Sequence, residues 1–139
     1  MKRMLVSMAL VLSAGAVATT VAWAGSPHFV DGTVTATRSG DSVVVSGKEA
    51  GLGDESQVDI LVTATASCIN PGDNHPKAAN KESVSAEGQF PVQNGKAEFS
   101  VTLTATFQPS CSPPMTIQYS DVTVTDVTNG ITYTFSGTF

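Results

Sequence analysis

The chain has 139 residues, with 12 acidic against 7 basic side chains and a net charge of −5. That length holds one domain with a real core but not two. The acidity disfavours a nucleic-acid partner, and the scattered cations Arg38, Lys48, Lys77, Lys81 and Lys96 have no interleaved aromatics, so neither a phosphate-tracking groove nor an anionic-membrane surface is expected.

Lys2 and Arg3 precede an apolar run from Met4 to Val21, and Ala22-Trp23-Ala24 stands before Gly25. A basic start, an apolar stretch and small side chains at the processing point form the pattern of a secretory signal, with cleavage expected after Ala24. An uncleaved anchor is the alternative, because such a run approaches the roughly 30 Å of a bilayer core. The Ala, Gly and Thr content of the run and its processing site favour removal. The expected organisation is therefore a signal peptide over 1–24 and one domain over 25–139, secreted, extracellular and free of the membrane after cleavage. The chain has 2 cysteines, and in an exported protein two such residues are expected to pair. Bridging Cys68 to Cys111 would stabilise the domain by about 4 kcal/mol through the entropy of the closed loop. Neither cysteine lies in a Cys-x-x-Cys pair or beside a cation that would mark a reactive thiol.

From Phe29 onward the hydrophobic period is two, with Thr, Val, Ser and Phe dominating and turn-forming residues about every ten positions. Phe29 to Thr37 reads as a first strand, Ser39-Gly40-Asp41 as a turn and Ser42 to Lys48 as a second strand, followed by a Gly-rich connection from Ala50 to Glu55. In the third strand Val58, Ile60, Val62, Ala64, Ala66 and Cys68 share one face, while Asp59, Leu61, Thr63, Thr65 and Ser67 share the other. The segment from Ile69 to Lys77 carries two prolines and is read as the longest loop. A short strand from Ser83 to Ala86 leads through Gly88 to the Asn94-Gly95 turn. Ala97 to Phe107 alternates again, and Pro109, Pro113 and Pro114 bracket Cys111 in a stiff loop. Asn129-Gly130 marks a two-residue hairpin with Thr128 opposite Ile131, Val124 opposite Phe135 and Val122 opposite Gly137. Thr123, Thr125, Val127, Thr132, Thr134 and Ser136 then take the solvent face. Ile117 and Tyr119 have the opposite parity to Val122 and Val124, which predicts a bulge near Ser120-Asp121. About seven strands without helical periodicity predict an all-β, immunoglobulin-like antiparallel sandwich, although no tryptophan is left for its core.

Chemistry-bearing residues are sparse. The two histidines, His28 and His75, are not spaced with Asp31 or Asp73 as a metal set, and no cofactor is implied. Pro27 lacks the amide nitrogen that an amino-terminal copper site needs. Asp54-Glu55 and the pair Asp121 and Asp126 read as carboxylates that keep edges soluble. There is no Gly-x-Ser-x-Gly elbow, no Ser-x-x-Lys and no lysine after Gly51-Leu52-Gly53 to make a phosphate loop. An enzyme is not expected.

At Ser26-Pro27-His28-Phe29, Gly47-Lys48-Glu49-Ala50-Gly51-Leu52 and Cys68-Ile69-Asn70-Pro71-Gly72, the chain resembles a group of small exported actinobacterial proteins. That resemblance spans most of the domain and brings no assigned activity with it. In layout, Val45 to Leu52 and the closing hairpin also resemble the neocarzinostatin-type apoproteins, which are secreted carriers of an aromatic enediyne. One distant cysteine pair stands here where that family has two local ones, and no binding residues are carried over.

The expected function is that of a non-catalytic extracellular binding or surface-interaction module, because loops on a rigid sandwich are where such folds place recognition. Asn70, Asp73, Asn74, His75 and Lys77, with Ser110 and Ser112 opposite, are the candidate recognition residues; a plain long connection is the competing reading. The expected partner is a protein, a glycan or a small apolar ligand. The alternatives are a carrier of that apolar ligand, which requires a cavity of a few hundred Å³, and a hydrolase inhibitor presenting the proline-rich Cys111 loop.

Overall fold

Val, Ile, Ala and Phe alternate with Thr and Ser along each long segment, so an extended chain presents one oily face and one hydroxyl face. The computed structural model describes residues 25–71 and 80–139. Within them eight strands form: β1 (His28–Phe29), β2 (Thr35–Ser39), β3 (Ser42–Ala50), β4 (Gln57–Ile69), β5 (Lys81–Pro91), β6 (Ala97–Thr104), β7 (Thr116–Asp126) and β8 (Ile131–Thr134). In one sheet β3 pairs with β6 on one side and with β1 and β2 in succession on the other; the second sheet has the order β5-β4-β7-β8. Every pairing is antiparallel. The chain changes sheet after β3, β5 and β6, which is the Greek-key arrangement of an immunoglobulin-like sandwich.

The predicted first strand is two. Gly32, at φ 76°, turns the chain after Phe29, and the Thr33 amide and hydroxyl both donate to the Val30 carbonyl. Thr33 Oγ1 then accepts the Lys48 amide at 3.1 Å, fixing this turn against β3. The predicted short strand at Ser83 to Ala86 extends over Lys81–Pro91, because the whole segment pairs with β4 from Ser67 back to Gln57. Gly88 lies inside it, opposite Ile60, with the Phe90 ring folded over the missing side chain. Phe99 covers Gly47 in the same way.

Val43, Val45, Val58, Ile60, Val62, Val122, Val124 and Tyr119 are completely buried between the sheets. Burying each such aliphatic side chain contributes about 1.5–3 kcal/mol. The predicted inward set of β4, from Val58 to Cys68, is buried throughout. The expected bulge is present: Thr63 pairs with Thr123 but Thr65 pairs with Ser120, so two residues of β7 oppose Ala64, and Asp121 has φ 53°. This reverses the parity of β7 and lets Ile117 and Tyr119 point into the same core as Val122 and Val124.

The closing hairpin differs from the expected register. Asp126 pairs with Ile131 and Val124 with Tyr133, leaving a four-residue loop, 127–130. Asp126 accounts for the shift: its Oδ1 accepts the amides of Thr128 and Asn129 while its carbonyl accepts the Gly130 amide, so its side chain caps a longer turn. The threonine face itself is as predicted, with the Thr123–Thr134 and Thr125–Thr132 hydroxyls 3.3 and 3.4 Å apart.

Candidate functional site

One end of the sandwich is held by a covalent tie. Cys68, next to last in β4, is bonded to Cys111 in the connection between β6 and β7, with Cα atoms 5.8 Å apart. The bridge therefore joins a strand end to a loop, tying the end of β4 to the connection 105–115. Of the candidate recognition residues, Asn70, Ser110 and Ser112 are exposed and lie within two residues of a bridged cysteine. Asp73, Asn74, His75 and Lys77 lie outside the described residues, as do residues 1–24, where the signal peptide is expected.

Three further side chains brace this end. Tyr119 is buried, and its hydroxyl accepts the Ala105 amide at 3.0 Å and donates to the Asp41 carbonyl. It thus fixes the start of the 105–115 loop to the turn between β2 and β3. Arg38 donates to the carbonyls of Gly40, Ile117 and Phe139 and lies 5.8 Å from the Tyr119 ring centre. Its ion pair with Asp41, at 3.7 Å and with Asp41 mostly exposed, adds little to stability. Met115 packs its sulfur 3.8 Å from Cys68 Sγ. With Cys68 in a disulfide there is no S–H to donate, so this is a packing contact.

The opposite end carries an arrangement that the sequence reading misplaced. Asp126, expected as an edge solubiliser, is completely buried and faces inward in phase with Val122 and Val124. Glu55, expected at the surface, is half-buried and accepts a 3.0 Å hydrogen bond from the Asn129 amide group, which also donates to Asp126 Oδ2 at 2.6 Å. Asp54 and Asp121 are exposed, as expected. Glu49 was missed altogether. It lies in phase with Val43, Val45 and Gly47 on the inner face of β3, is completely buried, and neither carboxyl oxygen has a partner at hydrogen-bonding geometry. Burial is the main cause that raises Glu49 to about 9, followed by the facing Asp126 carboxyl and then by Glu55. The signal was available: Glu49 and Asp126 each interrupt an apolar face at the position its parity assigns to the core.

Among the described residues, no group of three His, Cys, Asp or Glu side chains could hold a metal ion, and no helix is long and apolar enough to cross a membrane. His28 is exposed, with Nδ1 2.8 Å from the Ser26 carbonyl. A shallow groove of about 440 Å³ is lined by Gly47, Lys48, Phe90, Glu98 and Phe99, among others, with Lys48 and Glu98 paired at 3.4 Å. The disulfide fits an oxidising compartment outside the cytoplasm. No family model, curated protein or solved structure matches the chain.

Proposed function

We propose that this protein is exported and acts as a non-catalytic recognition module, binding an extracellular protein or glycan through the disulfide-tethered end. The observation that carries this reading is the covalent bond that ties the end of β4 to the 105–115 connection, with Asn70, Ser110 and Ser112 exposed beside it. Uncharged amide and hydroxyl groups on a braced scaffold suit hydrogen-bonded recognition at a low ordering cost. The leader pattern and the disulfide together support export.

The test uses the full mature chain, labelled with a fluorophore, on an array of glycans and on immobilised proteins from the culture medium of the source organism. Binding should be specific and should fall at least tenfold in the triple variant N70A/S110A/S112A and in a variant with Asp73 to Lys77 replaced by Gly and Ser. Equal binding by wild type and both variants would refute the assignment.

A second reading, a carrier of a small apolar ligand, draws support from the groove beside Phe90 and Phe99. Its volume falls in the range of small-molecule sites. Titration with 8-anilinonaphthalene-1-sulfonate should then give saturable fluorescence that F90A lowers.

A further inference from the structure

We infer that Glu49 and Asp126 form one acid pair holding a single proton, and that this pair is a latch that joins the β7–β8 turn to the end of β3 in the facing sheet and lets go in alkaline medium. The inference concerns the end of the sandwich remote from the proposed recognition surface and does not depend on it.

Glu49 enters from β3 and Asp126 from β7, so the pair spans the two sheets. Asp126 is the hub of the turn. Its Oδ1 accepts the amides of Thr128 and Asn129, at 2.9 and 3.2 Å, and its Oδ2 accepts the Asn129 side chain. Two lone pairs on each oxygen leave one acceptor position, on Oδ2. Glu49 is sealed from water with no donor aimed at it, and a carboxylate in that setting is far costlier than a neutral acid. A proton on Glu49 removes its charge and creates a donor, while Asp126 Oδ2 keeps one acceptor position free.

The remaining charged groups offer no substitute. On the neighbouring strands, Glu49 pairs with Phe29 of β1 and Ala97 of β6. His28 of β1 is exposed and held by Ser26, while Lys48 of β3 and Glu98 of β6 pair with each other on the outer face. Lys96, at the start of the β6 side, and Asp54 are exposed. Asp59 of β4 is bound through its backbone to Thr128 Oγ1 and Val127. The two groups that act on Glu49 electrostatically, Asp126 and Glu55, are both acids.

Glu49 is raised from 4.5 to about 9, so between those values the folded chain holds a proton that the unfolded chain has lost. Stability from that proton is complete below about pH 4.5 and is lost as pH rises towards about 9, the folded-to-unfolded ratio falling up to tenfold per pH unit. Beyond it, Glu49 adds a second buried negative charge against the hub of the turn.

Carbon-13 NMR of the carboxyl groups in the wild-type protein tests this directly. The Glu49 signal should titrate near pH 9, and the Thr128 and Asn129 amide shifts should move with the same midpoint. In E49Q the amide shifts should lose that alkaline midpoint, and the fall of the urea midpoint expected for the wild type between about pH 5 and about pH 9 should be abolished. A Glu49 titration at an ordinary carboxylate value, or an unchanged alkaline transition at Thr128 and Asn129 in E49Q, would overturn the inference. Should E49Q fail to fold, the wild-type titration alone decides.

Discussion

Replacing Tyr119 by phenylalanine removes one oxygen from a side chain with no exposure and leaves the ring in place. Two backbone groups lose their partner. The Ala105 amide, on a buried residue 3.0 Å from the hydroxyl, is left unsatisfied at a cost of about 1–3 kcal/mol. The Asp41 carbonyl belongs to an exposed turn and regains water, so its loss costs little. Y119F should therefore destabilise the protein by about 2 kcal/mol, with the urea dependence of the unfolding free energy unchanged because the buried area is the same. For a domain of this size that corresponds to a fall in Tm of about 8 °C. Hydrogen exchange at the Ala105 amide should accelerate more than at Val62 or Val124, since the 105–115 loop loses its internal anchor. A loss below about 0.5 kcal/mol, within the ordinary range of a neutral substitution, together with unchanged protection of Ala105, would show that the hydroxyl does not join these elements.

Removing the disulfide in C68A/C111A frees a loop with a sequence separation of 43, so equilibrium urea unfolding should show a loss of about 4 kcal/mol. Two glycines separate conformational from steric cost. Gly32 at φ 76° has open space around it, and G32A should cost about 1–2 kcal/mol. Gly51 at φ 74° would place a Cβ 2.1 Å from the Ser26 carbonyl oxygen, and G51A should cost at least about 3 kcal/mol in the same assay; equal losses would mean that the Ser26 backbone yields freely.

The period-two pattern carried much of the fold because one buried face leaves a strand a single acceptable phase. β3, β4 and β6 were legible for that reason, and the parity change between Tyr119 and Val122 located the bulge. β5 was only partly legible, since its Ser, Ala, Glu and Gly residues give weak contrast and its length is set by pairing along β4. The hairpin register was misread because the Asn129-Gly130 signal is local, whereas Asp126 imposes a longer turn through its own side chain. The same residue explains why the acid pair escaped notice. Glu49 and Asp126 are distant in sequence, and each alone looks like an ordinary surface carboxylate until the Greek key brings β3 over β7.

Strand β4 links two kinds of fastening. Near one end Cys68 carries the covalent bond, and eight residues earlier Ile60 sits beside Asp126; at the rise of an extended strand these points are about 27 Å apart. Reduction of the bridge would act at one pole, and ionisation of Glu49 in alkali at the other. Each pole thus answers to its own chemistry, one to thiol exchange and one to proton loss.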